Sequence, residues 1–237
     1  MSLSSLQTLH ERAKSAQPIL WNFLGDSITH GALHTWGRRD YVELFEERVR
    51  WQLQRADDVI IKTAYSGSSV PVTLETLGQR CIRFQPDIVS IMLGVNDASL
   101  GMENLPAFAE GYLTLIRRIH KETPALIFIQ TPNRLDIPNS AMRGQCIEAY
   151  VEEVRRIAEL ADVPCCDHYA VWQAYETHTQ NGSHYLRNDP LHPNNFGHLL
   201  LANTLLEWIG LGQLQHMTPI SDFNIPTAEI SPLSTTL

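Results

Sequence analysis

The sequence predicts an α/β domain, a parallel sheet with helices on both faces. Short β-rich runs alternate with amphipathic helical stretches along most of the chain, the order that parallel sheets with crossover helices require. The run behind Pro86, from Asp87 to Leu93, is nearly continuous in apolar residues, as suits a strand covered on both faces. Several strand-like runs end in Gly-containing polar sequences, and ligand-binding loops of open α/β sheets lie at the carboxyl ends of the strands.

The elements follow in order. Ile19 to Leu24 reads as the first strand. Asp40 to Gln54 reads as a helix. Asp40 and Glu43 fit a capping box, and Val42, Phe45, Val49 and Leu53 recur at helical spacing. Val59 to Ala64 is the second strand, and Leu74, Leu77, Cys81 and Phe84 mark the next helix. Asp87 to Leu93 is the third strand, Pro106 to Lys121 a helix, and Ala125 to Gln130 the fourth strand. Ser140 to Ala161 is a long helix, Val163 to Cys166 a short fifth strand, and Pro193 to Leu211 the last helix, with Pro193 in its first turn. Right-handed crossovers then bring every β-to-α loop to one edge of the sheet.

The chain has 237 residues, 43% apolar and 19% charged, enough for one domain with a sizeable core. The expectation is a single domain over 1–211. The stretch 212–237, rich in Thr, Ser and Pro and without helical period, is expected to be an extended tail, packed on the surface or disordered. A formal net charge of -8 argues against nucleic acid as the main partner, because phosphate binding needs surplus Lys and Arg. No apolar run is long enough to span a bilayer, and Met1 to Gln17 lacks the basic-then-apolar order of a secretory signal. The expected location is therefore cytoplasmic, with no membrane partner. Cys81, Cys146, Cys165 and Cys166 form neither a redox nor a zinc pattern and read as reduced thiols.

Four polar segments stand at strand ends or before the last helix: Gly25-Asp26-Ser27-Ile28-Thr29-His30-Gly31, Ser66-Gly67-Ser68, Gly94-Val95-Asn96-Asp97 and Asp189-Pro190-Leu191-His192-Pro193-Asn194. Together they match what acyl transfer requires. A serine hydroxyl needs a neighbouring base to take its proton, and histidine titrates near neutrality. The imidazole needs a partner that fixes its tautomer, and the developing oxyanion needs donors already in place. Ser27 fills the role of nucleophile, His192 that of base, and Asp189, three residues earlier, that of orienter. The backbone N–H groups of Ser27 and Gly67 and the side-chain amide of Asn96 are the oxyanion donors. Asp26 and Asp97 are expected to brace their loops by accepting backbone hydrogen bonds. Each segment alone reads as an ordinary turn or cap; their order and placement carry the reading.

These same residues resemble the SGNH hydrolases, the GDSL-type esterase, lipase and acylhydrolase family. Gly25-Asp26-Ser27, Gly67, Gly94-Val95-Asn96-Asp97 and Asp189-Pro190-Leu191-His192 match its blocks, over Ile19 to about Leu211. The resemblance implies a three-layer α/β/α, flavodoxin-like fold on a parallel five-stranded sheet. It also implies an oxyanion hole from Ser27, Gly67 and Asn96, with no metal and no organic cofactor. One departure concerns the second block. Many members carry an Asn shortly before its Gly, where this chain has Lys62-Thr63-Ala64-Tyr65.

His30 and His34 are four apart, a metal-pair spacing on a helix, but they are expected in a Gly-containing loop without a third ligand. They read as exposed or substrate-lining imidazoles. Arg38, Tyr65 and Tyr185, with Trp36, are candidate substrate-lining residues. The expected function is hydrolysis of small acyl esters, foremost acetyl groups on a carbohydrate, since no apolar lid segment is visible. Lysophospholipase, thioesterase and acyltransferase activities from the same site are the alternatives, and a catalytically silent binding module on the same fold is a further one.

Overall fold

The computed structural model describes residues 4–138, 141–178 and 183–215. Five parallel strands form one sheet in the order β2-β1-β3-β4-β5. They are β1 (Leu20–Gly25), β2 (Val59–Lys62), β3 (Ile88–Met92), β4 (Leu126–Gln130) and β5 (Cys165–Cys166). β1 pairs with β2 on one side, Leu20 opposite Val59, and with β3 on the other, Trp21 opposite Ile88. The winding direction thus reverses between β1 and β3, and the carboxyl ends of two such strands frame a crevice. This is the flavodoxin-like arrangement that the sequence resemblance implies.

Eight α-helices surround the sheet among the described residues: α1 (Ser5–Lys14), α2 (Ser27–His30), α3 (Tyr41–Glu46), α4 (Val70–Arg80), α5 (Leu105–Glu122), α6 (Met142–Ala161), α7 (His168–His178) and α8 (Asn195–Trp208). α5 packs on both α4 and α6, while α8 packs on both α3 and α7, so the helices fall into two groups flanking the sheet. All five residues of β3 are buried, which accounts for its unbroken apolar run. Trp21 and Phe23 of β1 meet Phe45 of α3 edge-on at centroid distances of 5.1 and 5.2 Å, a favourable aromatic geometry that ties the strand to its crossover helix.

The capping box at Asp40 forms: its Oδ1 accepts from Val42 and Glu43, and Glu43 Oε2 accepts from the Asp40 N–H. The expected helix over 40–54 nevertheless changes pitch, continuing from α3 as a wider π turn over Glu47–Gln52. Apolar residues four apart, as Val49 and Leu53 are, fit either pitch, so the spacing could not distinguish them. The last helix corrects another expectation. Asn194 is its cap, accepting from Phe196 and Gly197. Pro193 stays outside the helix, bridged to Arg187. α1 was not foreseen, although its Ser4–Gln7 capping box is legible in the sequence. α7 was not foreseen either. Of the expected tail, Leu214 donates to Asn203 and Gln215 to Gln52; 216–237 lie outside the described residues, as does Ser140 at the expected start of α6. Among the described residues no helix is long and apolar enough to cross a membrane.

Candidate active site

β1 delivers Ser27 to the crevice as the first residue of the single-turn helix α2. Asp26 caps that turn, its Oδ1 accepting from the Ile28 N–H at 3.0 Å. The turn closes on Gly31 at φ +67°, a left-handed conformation that favours glycine. The Ser27 N–H, in the first turn, has no intrahelical carbonyl to meet. His30 ends this helix rather than lying in a loop as expected. The hydroxyl and backbone N–H of Ser66 approach its Nδ1 at 2.9 and 3.3 Å. Burial, then the charges of Lys62 and Arg80, lower His30 below the usual histidine range.

The loop before α8 brings in the other two groups. His192 Nε2 lies 2.9 Å from Ser27 Oγ, and His192 Nδ1 lies 2.8 Å from Asp189 Oδ2. The second carboxylate oxygen, Oδ1, accepts from the backbone N–H groups of Leu191 and His192 at 2.8 Å each. Burial alone would raise the Asp189 carboxyl. The His192 ring N–H, with those two backbone donors, outweighs it and holds the group below the usual carboxylate range. An ionised Asp189 accepts the Nδ1–H, which leaves the Nε2 lone pair facing the Ser27 hydroxyl.

Asn96 follows β3, and its Nδ2 donates to the Ser68 carbonyl at 2.9 Å, which fixes the amide plane. Gly67 sits at φ +80°, and a Cβ there would meet nothing within 4 Å. With space for a side chain there, it is the left-handed backbone that calls for glycine. Asp97 is buried, its Oδ1 accepting from the Val70 N–H at 3.0 Å, which joins the Asn96 loop to the start of α4. Burial raises Asp97 to about 6. Burial, and then Asp97, raise Asp26 to about 7.

Ser27, Gly67, Asn96, Asp189 and His192 line one cleft of about 450 Å³ together with Leu33, His34, Trp36, Ser66, Arg143 and Leu191. Trp36 is 77% and Leu33 83% exposed, so both stand at its mouth. Arg38, Tyr65 and Tyr185 are not among the lining residues. Arg80 lies over the Tyr65 ring at 4.8 Å, and Tyr185 stacks on Phe196 at 4.7 Å. The Arg38 N–H closes a turn on Thr35. Trp36, inside that turn, reaches the mouth of the cleft. Sequence reasoning missed Leu33, Leu191 and Arg143. Arg143 comes from α6, with its Nε donating to the Val95 carbonyl at 2.8 Å, and no local motif marks it. Among the described residues no group of three or more His, Cys, Asp or Glu is placed to hold a metal ion.

A model of the GDSL-like lipase/acylhydrolase family matches residues 23–200. An uncharacterized protein of Mycoplasma pneumoniae is 28% identical over 125 residues, 52% of this chain; the match spans 13% of that protein's length. The fold is shared with Axe2, an acetylxylan esterase from Geobacillus stearothermophilus (TM-score 0.69, 22% identity, 83% of this chain and 97% of that one). It is also shared with LAE5, an alpha/beta hydrolase enzyme from the metagenome of Lake Arreo, Spain (TM-score 0.70, 22% identity, 83% and 97%). A third structure, the acetyl xylan esterase AlAXEase, aligns with TM-score 0.68 at 20% identity over 80% of this chain and 98% of that one.

Proposed function

This chain belongs to the GDSL-like lipase/acylhydrolase family of carboxylic ester hydrolases, and on that premise we propose that it cleaves small acyl esters, foremost acetyl groups on a carbohydrate, with Ser27 as nucleophile, His192 as base and Asp189 as orienter. The observation that carries this reading is the unbroken chain Ser27 Oγ to His192 Nε2 (2.9 Å) and His192 Nδ1 to Asp189 Oδ2 (2.8 Å).

Ser27 Oγ attacks the ester carbonyl as its proton passes to His192 Nε2. Asp189 stabilises the imidazolium, and the Ser27 and Gly67 N–H groups with the second Asn96 amide N–H meet the oxyanion. The tetrahedral intermediate collapses as His192 returns the proton to the leaving alcohol, leaving Ser27 acylated. Water then attacks with His192 again as base and releases the acid. Asp26 and Asp97 hold the loops that carry Ser27 and Asn96.

Two features favour a small acyl group on a sugar. Trp36 offers a flat exposed face at the mouth of the cleft, suited to stacking on a sugar ring. The two acetyl xylan esterases share the fold. Exposed Leu33 at the same mouth favours a second reading, a longer acyl chain as in a lysophospholipid. Hydrolysis of p-nitrophenyl acetate, butyrate and octanoate separates them. The expected result is a kcat/KM highest for acetate, falling at least about tenfold to octanoate, the cost of a misfit of about 1.4 kcal/mol. A profile that rises with chain length would establish the second reading.

A further inference from the structure

A second imidazole lies against the face of His192. The ring of His34 stacks on it with centroids 4.5 Å apart and planes 15° from parallel, and His34 is buried. Its Nε2 lies 2.9 Å from Nε2 of His198, a buried residue of α8. His198 Nδ1 in turn lies 3.2 Å from the backbone nitrogen of Tyr41. These contacts fix the protons. A backbone N–H can only donate, so His198 Nδ1 is the bare nitrogen and its Nε2 carries the hydrogen. That hydrogen points at His34 Nε2, which is therefore also bare, and the His34 proton sits on Nδ1. Both rings are neutral, each in one tautomer.

The groups facing His34 come from every neighbouring element: His192 and Asp189 from the loop before α8, His198 from α8, His30 from α2 and Lys62 from β2. Burial first, and the charge of His192 next, push His34 down to about 4. Burial and then His34 push His198 down to about 3. The electrostatics thus agree with the tautomers read from the hydrogen bonds. The loop carrying His34 is pinned as well, since Asn188 Nδ2 donates to its backbone carbonyl.

We propose that His34 is a positioning residue for ester hydrolysis: a neutral ring, locked by His198, that holds the His192 imidazole flat in line with Ser27 and Asp189. The inference rests on His192 being the base, as argued above. The two hydrogen bonds of His192 constrain its ring within its plane, and a stacked ring restrains tilt out of that plane. When Ser27 attacks and His192 becomes cationic, it meets a π-face instead of a second charge.

The test uses p-nitrophenyl acetate with wild type, Ser27→Ala, His34→Ala, His34→Phe, His34→Gln and His198→Leu, each checked for folding by circular dichroism. His34→Ala and His34→Gln should lower kcat about 10- to 100-fold, with KM within about twofold, because a ring no longer held in line misplaces the proton transfer. His34→Phe keeps the stack and should recover to within about threefold of wild type. His198→Leu frees the His34 Nε2 lone pair to take a proton beside His192. Followed by NMR, the His34 ring should therefore titrate higher in this variant than in wild type. A His34→Gln kcat within about twofold of wild type, or equal to that of His34→Phe, overturns the inference, as does a loss confined to KM. An unmoved His34 titration in His198→Leu overturns the lock. An inactive wild type, or an active Ser27→Ala, would instead defeat the hydrolase reading, so the two failures are distinct.

Discussion

The Asp26 carboxyl is fully buried beside Ser27, with Oδ1 capping Ile28 and, among the described residues, no hydrogen-bond partner for Oδ2. Asp97, also buried, adds to the cost of its charge. The consequence for stability follows from linkage. With a folded value near 7 against 3.8, Asp26 is neutral in both states below about pH 4. Between about 4 and 7 the unfolded chain ionises and the folded one resists, so the stability it contributes falls as pH rises, by a few kcal/mol at most. Asp26→Asn keeps an oxygen for the Ile28 N–H and removes the charge. Thermal unfolding should show the variant gaining on wild type from pH 4.5 to pH 8; a difference that is flat across that range would contradict the assignment. At this scale the residues in short blocks, Ser27, Asn96, Asp189 and His192, were legible as a candidate site, and they line one cleft. The sequence did not disclose Leu33, or Arg143, whose place in the cleft depends on how the distant α6 packs. Arg38 falls outside the cleft lining because adjacency along the chain does not fix direction through the turn that it closes on Thr35.

The start of α8 is where element packing and chemistry meet. A Cβ at Gly197 would come within 2.3 Å of the Leu186 carbonyl oxygen, 2.7 Å of the Trp172 ring and 2.9 Å of Pro193. Trp172 sits in α7, so the glycine lets the start of α8 seat closely on α7 and on Leu186 and Pro193, which flank the Asp189–His192 loop. Gly197→Ala forces α8 away from this seat. We expect a loss of about 1–3 kcal/mol in stability and a fall in kcat larger than the change in KM, as the His192 ring moves off Ser27; urea unfolding and steady-state kinetics on one preparation read both. A variant with wild-type stability and kcat would show that the seat does not hold the loop. The central strands were legible as short runs buried along nearly their whole length, and the longer helices because period 3.6 marks one face. α7 left no such mark, and the change of pitch after α3 obeys the same apolar spacing as an α-helix.

The whole molecule explains why residues as far apart as Ser27 and His192 meet. With β1 at the reversal of winding, the loops after β1, β2 and β3 and the segment before α8 share one edge of the sheet. The alternation of elements made the parallel sheet legible, whereas the neighbours of β1 followed only from the family resemblance, with which the observed strand order agrees. That topology brings His192 to the Ser27 hydroxyl, with Asp189 on its other nitrogen and His34, backed by His198, on its face, and the central claim is that Ser27 is an activated nucleophile. Labelling with a fluorophosphonate, followed by mass spectrometry of the intact and digested protein, tests this most directly. The account predicts one label per chain, located on Ser27, absent in Ser27→Ala and slowed by orders of magnitude in His192→Ala. A folded wild-type protein that takes no label, or takes it on another residue, would contradict it.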